Sequence, residues 1–386
     1  MMTHERTRLL SLILLPVSLA VLAMAQSPTL TEFDAPGVAN VSSPVCNNAF
    51  GGFIGCGTTP LANNDLGMVV GTYTDANLVQ HGFLRTLDGR ITSFDVPGAG
   101  QGPGQGTVAF AINERRVIAG TFQDSNNVYH GFLLHPNGDF ETIDAPDEGT
   151  GAQQGTMVTN VNYRATTAGA YIDGNGVYHG FVRTRNDEFT YFDPTGSVYT
   201  FPCAETCLGP NGAVTGFYTD ANNTAHGFLR TPDGNITVID APGAGTGNQA
   251  GTVAATINPE GVIAGYYVDS NNVAHGFLRS RDGTLSAYDE TPPPAELFQP
   301  TPSPYQGTCA FSINTDGAIA GTYWDASNVM HGFVRDRKGK FTNFTAPDAG
   351  TASNQGTRAS TNNLEGAVAG WYVDANNVNH GFVWQP

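Results

Sequence analysis

Residues 252–279, TVAATINPEGVIAGYYVDSNNVAHGFLR, form one copy of a phrase that recurs through the chain. The intervals between its copies, measured from His to His, are 49, 49, 47, 49, 56 and 49 residues. Each copy contains the tripeptide His-Gly-Phe, which begins at His81, His130, His179, His226, His275, His331 and His380. A nearly fixed period of this length indicates an array of supersecondary units. The chain is therefore a repeat protein.

Each repeat contains four short apolar segments separated by turn signals. In the second repeat they are residues 106–112, 117–122, 128–133 and 140–144, with polar turns at 124–127 and 136–139. Asn-Gly and Asp-Gly dipeptides between apolar segments favour hairpins because both residues tolerate positive φ. No sustained helical period follows residue 25. The pattern predicts an all-β protein with four antiparallel strands per repeat.

Seven units of four strands predict a seven-bladed β-propeller over residues 26–386. The last repeat stops after its third segment, at residues 380–384. Its missing fourth segment, Phe-Asp-Ala-Pro-Gly or close to it elsewhere, stands near the other terminus as residues 33–37. We expect the N-terminal strand to complete the last blade and close the ring, which leaves no exposed strand edge.

The first 25 residues have the features of a secretory signal peptide. Arg6 and Arg8 precede an apolar run over residues 9–22, and Ala-Met-Ala at 23–25 offers a cleavage site. Residues 1–25 are therefore predicted to be removed, and the protein to be secreted or held in the cell envelope. No later segment approaches the 18 apolar residues of a membrane-spanning helix.

Composition excludes several kinds of partner. The net charge is −17, and Lys338 and Lys340 are the only lysines, so we expect binding to neither nucleic acid nor anionic lipid. Only 13% of residues are charged and 48 are glycine, which is typical of a turn-rich β protein rather than a disordered acidic chain.

The five cysteines fit an exported protein. Cys46 with Cys56, and Cys203 with Cys207, each flank a short irregular stretch and are candidate disulfides. Cys309 falls within a predicted strand, and we interpret it as a small buried side chain.

The repeats resemble the HAF-type extracellular repeat family of bacterial exported proteins. The matching residues are Ile-Asn pairs at 112–113, 257–258 and 313–314, each followed by Gly120, Gly265 or Gly321 and then by the His-Gly-Phe. The resemblance covers residues 29–386, with Gly in place of the family's usual Ala after His. It implies an extracellular location and a repeat architecture. The family has no settled activity, so it leaves the function open.

An aspartate precedes each tripeptide histidine by six residues. These aspartates are Asp75, Asp124, Asp173, Asp220, Asp269, Asp325 and Asp374. The pairs could form seven metal or acid–base sites, or each Asp could cap the turn and hold a buried His. Catalysis does not need seven copies and buried polar groups do need partners, so we favour the structural interpretation and predict no metal site. Asn63, Asn113, Asn162, Asn258, Asn314 and Asn363 are likewise interpreted as turn formers at the end of the first strand.

The Asp-x-Asn-Asn turns beginning at Asp124, Asp269 and Asp374 superficially resemble a calcium loop. They lack the Glu that an EF-hand needs at its twelfth position. Asx turns use the same residues without a metal. We therefore predict no cofactor, with weak Ca²⁺ binding left open.

The chain contains no Gly-x-Ser-x-Gly, His-Glu-x-x-His or P-loop motif, which argues against an enzyme. Three links break the repeat, at residues 40–56, 194–207 and 290–305. Insertions on one face of a repeat array often form the binding face, although neutral loop drift is an equal alternative. The candidate binding residues on these links are Tyr199, Phe201, Phe298 and Tyr305.

These features favour a secreted, monomeric, non-enzymatic binding or scaffold module that engages a glycan or an exported protein through its loop-rich face. One alternative is a propeller hydrolase or lyase with a carboxylate-lined central pocket. A purely structural envelope protein is the other.

Overall fold

The computed structural model describes residues 27–39, 41–47, 55–202, 206–248, 250–290 and 306–386. The predicted signal peptide lies outside these residues. Within them the only helix is α1 (Pro44–Asn47), and 28 strands account for the remaining regular structure. No helix in the described ranges is long and apolar enough to cross a membrane.

After β1 (Thr29–Phe33), the strands follow the sequence repeats in consecutive groups, which we call units 1 to 7. Unit 1 contains β2 (Thr58–Asn63), β3 (Val69–Thr74), β4 (Gln80–Arg85) and β5 (Ile91–Phe94). Unit 2 contains β6 (Gly106–Ile112), β7 (Ile118–Gln123), β8 (Tyr129–Leu134) and β9 (Phe140–Ile143). Unit 3 contains β10 (Gly155–Val161), β11 (Thr167–Ile172), β12 (Tyr178–Arg183) and β13 (Phe189–Phe192). Unit 4 contains β14 (Tyr199–Pro202), β15 (Val214–Thr219), β16 (Ala225–Arg230) and β17 (Ile236–Ile239).

The last three units follow the same plan. Unit 5 contains β18 (Gly251–Ile257), β19 (Ile263–Val268), β20 (Val273–Arg279) and β21 (Leu285–Tyr288). Unit 6 contains β22 (Gln306–Ile313), β23 (Ile319–Trp324), β24 (Met330–Arg335) and β25 (Phe341–Phe344). Unit 7 contains β26 (Gly356–Asn362), β27 (Val368–Val373) and β28 (Asn379–Gln385).

The fourth strand of a unit is more exposed than the first strand. All seven residues of β6 are buried, whereas β5 and β9 have half-buried or exposed residues at most positions. Within a unit the strands pair antiparallel in sequence order. Four-stranded antiparallel units with a buried first strand define a β-propeller, and the predicted all-β propeller fold is confirmed.

Successive units are joined where the first strand of one unit begins beside the third strand of the unit before it. Gly106 of β6 forms a parallel bridge with Gln80 of β4, and a Cβ on Gly106 would lie 2.0 Å from the Gln80 carbonyl oxygen. Its φ of 115° also lies in the region that favours glycine. Equivalent bridges join Tyr129 to Gly155 and Ala225 to Gly251. These glycines let neighbouring units approach closely.

A chain of asparagine side chains also links the units. Asn113 Oδ1 accepts hydrogen bonds from the Arg115 and Val117 N–H groups, and its Nδ2 donates to the Asn162 carbonyl at 2.9 Å. The same inter-unit bond is made by Asn64, Asn162, Asn258, Asn314 and Asn363. In unit 1 this residue is Asn64, so the assignment of Asn63 was wrong. Asn64 lies 49 residues before Asn113, the repeat interval, whereas the Asn63 amide donates to the Ala367 carbonyl.

The two ends of the chain meet. β1 pairs antiparallel with β28, from Thr29 opposite Gln385 to Phe33 opposite Gly381. Gly57 forms a parallel bridge with Asn379, and Asn363 Nδ2 donates to the Asn64 carbonyl at 3.1 Å. The predicted pairing of the N-terminal strand with the last repeat is therefore observed.

Candidate functional site

Each tripeptide histidine lies in a cluster of one aromatic ring and two polar partners. His81 stacks on Tyr73 with ring centroids 5.0 Å apart, and its Nδ1 lies 2.9 Å from Asp95. Its Nε2 lies 3.6 Å from Asp75, the aspartate six residues upstream. The cluster recurs in every unit, and the side chains of these histidines are between 15% and 24% exposed.

For six of the seven histidines the tighter partner lies 14 residues downstream, and for His380 it is Asp34 of the N-terminal segment. Sequence reasoning missed these partners. These partners are Asp95, Asp144, Asp193, Asp240 and Asp289, with Asp34 serving His380 and Thr345 serving His331. They directly follow the fourth strands, or β1 in the case of Asp34, and the 14-residue spacing shared by the first six histidines was the signal that could have found them.

The upstream aspartates bond chiefly to the turn. Asp124 Oδ1 accepts the N–H groups of Asn126 and Val128, both at 2.8 Å. Its carboxylate lies 3.9 Å from His130 Nε2. This geometry is an Asx turn, as the structural interpretation expected.

The clusters shift the proton affinity of both partners. The hydrogen bond to Asp144 raises the pKa of His130, and the equivalent bonds to Asp95, Asp289 and Asp34 do the same for His81, His275 and His380. Partial burial would raise the pKa of Asp124, but the hydrogen bonds from the turn N–H groups keep this pKa below its ordinary value.

We expect the thermal stability of the protein to fall as the pH rises above neutrality. A raised histidine pKa means that the folded state binds the proton more tightly than the unfolded chain. The stabilisation is complete below the ordinary histidine pKa of about 6.5. It is lost as the pH rises through the higher folded-state pKa. Melting temperatures measured between pH 5 and 9 should show this decline.

The Asp144→Asn variant is the control for this pH dependence, because it removes the group that raises the pKa of His130. Its melting temperature should change less over the same pH range. A wild-type melting temperature that stays flat from pH 5 to 9 would contradict the expectation.

Unit 2 adds a third titratable group to its cluster. Glu148 replaces an alanine found at the equivalent positions 99, 244 and 349. It brings its carboxylate within 4.8 Å of the ligand atoms of His130 and Asp144. Burial raises the pKa of Glu148 to about 6, and the Thr156 hydroxyl donates to it. Within the protein, His130 and Asp144 bond to each other and Glu148 accepts the Thr156 hydroxyl. The predictions of no metal and no cofactor stay predictions.

The predicted aromatic binding residues fall in three places. Phe298 and Tyr305 lie outside the described residues. Phe201 is 1% exposed and packs with Val108, Phe110 and Met157, so it belongs to the interior. The link predicted there contains β14, the first strand of unit 4, which turns Phe201 towards the core.

Tyr199, also on β14, is half-buried. Its ring centroid lies 4.5 Å from that of Tyr178 and 5.8 Å from that of Phe217. Burial raises the pKa of its phenol. Tyr199 therefore contributes to an aromatic wall between units 3 and 4, not to a loop.

The cysteines are resolved in part. Cys56 and Cys207 are buried, and the Cys56 sulfur accepts the Ser43 N–H at 3.1 Å. The Cys46 side chain and Cys203 lie outside the described residues, so both disulfides stay predictions. Cys309 is 1% exposed, which agrees with its interpretation as a buried side chain.

A cavity of about 190 Å³ opens between units 4 and 5. Phe217 and Tyr266, which occupy the same repeat position in the two units, contribute aromatic rings to its lining. Both are half-buried, whereas the equivalent Thr72, Thr121, Ala170, Thr322 and Trp371 are buried. Thr219 and Asn223 supply polar groups to the lining, and Ala225 and Ala250 complete this part of it.

Two alanines of the lining, Ala250 and Ala225, stand where most other units carry larger side chains. Where Ala250 stands, four other units carry a glutamine: Gln105, Gln154, Gln306 and Gln355. Gln105 Nε2 donates to Asn127 Oδ1 at 2.8 Å, and Gln355 does the same to Asn377 at 3.0 Å. Both bonds stay within one unit and join residues 22 apart, and the residue 22 positions after Ala250 is Asn272 of unit 5. Ala250 has no such side chain, and it lines the cavity.

Ala225 removes a larger side chain from the space between the units. The equivalent residue in unit 1, Gln80, is fully buried and accepts hydrogen bonds from the hydroxyls of Thr72 and Thr74. Those threonines occupy the positions of Phe217 and Thr219. The equivalents of Ala225 in the other units are Gln80, Tyr129, Tyr178, Ala274, Met330 and Asn379.

Ala274 of unit 5 is the one other alanine at this position, but its surroundings differ. Trp324 of unit 6 stands where Val268 lines the cavity, and it packs with Ala274 in one buried cluster. Among the described inter-unit spaces, only the one between units 4 and 5 therefore combines the small residues Ala225 and Ala250.

No protein-family model and no curated protein matches the chain. Among solved structures, the BP39L lectin from Burkholderia pseudomallei is similar, with a TM-score of 0.55 and 11% identity over 85% of this chain and 97% of that chain. This similarity is one of fold.

Two further structures are similar at lower scores. A puromycin hydrolase has a TM-score of 0.45 and 13% identity, and the match covers 90% of this chain but only 57% of that chain. The six-bladed β-propeller lectin of Aleuria aurantia has a TM-score of 0.37 and 12% identity over 74% of this chain and 92% of that chain.

Proposed function

We propose that the protein is a secreted, non-enzymatic β-propeller module that binds a glycan. The observation that carries the proposal is the cavity between units 4 and 5, with two aromatic rings, an amide and a hydroxyl in its lining. Binding sites for small molecules are concave and mostly apolar, with a few polar groups that orient the ligand. A sugar presents C–H surface to aromatic rings and hydroxyls to polar groups, and this lining offers partners for both.

We further propose that the propeller is a closed ring of seven blades, with β1 as the outermost strand of the last blade. The 28 strands divide into seven groups of four when β1 is counted with unit 7. The asparagine bond from Asn363 to Asn64 supports closure because it repeats, between the last and first units, the bond that links neighbours elsewhere.

Secretion follows as a proposal from residues 1–25 and from the resemblance to HAF-type repeats, and we propose a monomer. The similarity to a lectin in fold agrees with a glycan ligand, which we extend to this chain as a proposal. A glycan is favoured over a protein partner because the cavity is narrow and concave.

The hydrolase or lyase alternative has less support. All nine residues that line the cavity are uncharged. The cluster of His130, Asp144 and Glu148 belongs to unit 2 and the link that follows it, away from the cavity between units 4 and 5. The cavity therefore lacks the paired carboxylates that glycoside hydrolysis commonly uses.

A glycan array probed with residues 26–386 tests the proposed function. We expect binding to a defined subset of glycans. The Phe217→Thr variant should bind at least about tenfold more weakly, because stacking residues dominate such contacts. Thr already occupies this repeat position in units 1, 2 and 6, so the backbone tolerates it.

The Val238→Thr variant is the matched control, because Val238 is exposed on the fourth strand of unit 4 and does not line the cavity. It should bind like the wild type. An array without any bound glycan would contradict the proposal and favour the structural envelope protein. Release of a cleaved product, detected by mass spectrometry, would favour the enzyme.

A further inference from the structure

We infer that the cavity between units 4 and 5 binds one uncharged pyranose ring at the end of a glycan chain, with one such site per protein. This inference rests on the proposed glycan binding. It adds the size, the charge and the number of the sugar subsites.

The volume of the cavity sets the size of the ligand. At about 190 Å³ it is smaller than the roughly 300–1,000 Å³ of sites that enclose drug-sized molecules. It accommodates a single ring, with the next sugar outside. Recognition of this kind selects the chain end, because an internal sugar would need an exit on both sides.

The charge of the surroundings selects against acidic sugars. No lining residue is charged, so a carboxylate or sulfate would find no cationic partner. Asp220 directly follows Thr219, and Asp269 directly follows Val268, so two carboxylates lie next in sequence to lining residues. Burying an unpaired anion beside them would be costly. A neutral ring avoids this cost.

The polar groups can orient a neutral ring. The Asn223 amide donates one hydrogen bond to Asn248 Oδ1. A side-chain amide has two donors and an acceptor oxygen, so this bond leaves capacity for a sugar hydroxyl. Phe217 and Tyr266 lie on adjacent units and offer apolar surface from both. Sequestering the C–H faces of the ring from water supplies the affinity.

The number of sites follows from the repeat itself. Between units 1 and 2, the buried side chain of Gln80 occupies the equivalent space next to Thr72 and Thr74. Tyr129 is 6% exposed between units 2 and 3, and Met330 is 8% exposed between units 6 and 7. Among the described inter-unit spaces, only the one between units 4 and 5 has alanine at both repeat positions. One site per chain is therefore expected.

The test uses the Ala225→Gln/Ala250→Gln double variant of residues 26–386, which introduces the glutamines found at these repeat positions as Gln80 of unit 1 and Gln105 of unit 2. Gln80 already occupies the position of Ala225 next to a bridging glycine, so the backbone accommodates the side chain. The probes are free galactose, glucose, mannose and fucose, and glucuronic and sialic acids as the acidic set. Calorimetry gives affinity and stoichiometry, and Val238→Thr is again the control.

We expect a neutral monosaccharide to bind with a stoichiometry near one and to compete with the array glycans. The double variant should bind at least about 100-fold more weakly, with an unchanged far-UV circular dichroism spectrum. If it misfolds, Phe217→Thr replaces it as the test, because that variant removes the stacking ring without filling the space.

The inference would be overturned if the protein binds glycans but the filled variant retains the affinity, while the proposed function would stand. Preference for the acidic sugars, or a stoichiometry of two or more, would also overturn it. Absence of glycan binding by the wild type would remove the proposed function and the inference together.

Discussion

Deletion of residues 27–39 is expected to lower the melting temperature of the mature protein by at least about 10 °C. The deletion removes β1 and leaves β28 as an open strand edge in unit 7. It also removes Phe33, whose ring lies 6.0 Å from that of Phe83 and 4.9 Å below the Arg85 guanidinium. Losing a fully buried aromatic side chain costs about 3–5 kcal/mol, and the half-buried Phe33 contributes less than this. In a domain larger than 150 residues, each kcal/mol shifts the melting temperature by about 2–4 °C.

The bonds between the two chain ends add to this loss. Asp34 lies 2.9 Å from His380 Nδ1, and the Ala35 N–H donates to the Thr58 hydroxyl at 3.1 Å. Differential scanning calorimetry of the intact and truncated proteins measures the shift. The truncated protein should also aggregate more readily, because its open edge can pair with another chain.

A synthetic peptide covering residues 27–39 should restore the melting temperature when it is added in excess, because it binds the folded form. A peptide with Phe33→Ala is the matched control and should restore less. Equal melting temperatures for the intact and truncated proteins would show that β1 does not stabilise the last unit, and would remove the support for a closed ring.

The sequence predicts the architecture well because the same pattern of strands and turns recurs seven times. The strand order, the turns and the pairing of residues 29–33 with the last repeat follow from alternating apolar segments and from one displaced Phe-Asp-Ala-Pro-Gly. Asn64 shows why the register of the repeat is hard to assign from the sequence in unit 1. Two adjacent asparagines compete for one position, and only the 49-residue interval to Asn113 selects between them.

The candidate site was predicted less well because only small residues, at positions where most other units carry larger ones, mark it in the sequence. Insertions such as residues 290–305 are conspicuous, whereas Ala225 and Ala250 look like ordinary small residues. Their meaning appears only when the buried Gln80, at the position of Ala225, shows which side chain is missing beside Phe217 and Thr219. Phe201 illustrates the opposite error, because an aromatic residue in an irregular link proved to lie on a buried strand.

The histidine clusters recur in every unit, whereas the cavity lies at one junction, between units 4 and 5. The clusters recur in all units, at the turn between the second and third strands, and serve each unit alike. The cavity lies between units 4 and 5, where Ala225 and Ala250 are smaller than most residues at the same positions of the other units. Small residues at one junction can therefore open a cavity between units without an insertion in the links.

The Phe277→Ala variant is expected to lower the free energy of unfolding by about 3–5 kcal/mol, the range for truncating a fully buried aromatic residue. Phe277, the third residue of the tripeptide in unit 5, is 1% exposed. It shares a core cluster with Ile239 of unit 4 and Ile263 of its own unit. The vacated space therefore lies between two units, where neighbouring strands cannot collapse into it without breaking their own pairing.

The other two residues of the tripeptide provide an internal scale. A Cβ on Gly276 would lie 2.5 Å from the ring of the half-buried Tyr288, so Gly276→Ala should cost about 1–3 kcal/mol through overpacking. His275→Ala removes a partly exposed ion pair and a ring stacked at 4.9 Å, and pairs of this kind contribute at most about 1 kcal/mol.

Urea unfolding at constant pH measures all three variants, and the slope with denaturant should stay unchanged while the midpoint falls. The expected order of destabilisation is Phe277, Gly276, His275. A larger loss for His275→Ala than for Phe277→Ala would contradict it. The seven histidines would then hold the fold together, whereas the packing shows the phenylalanines doing so.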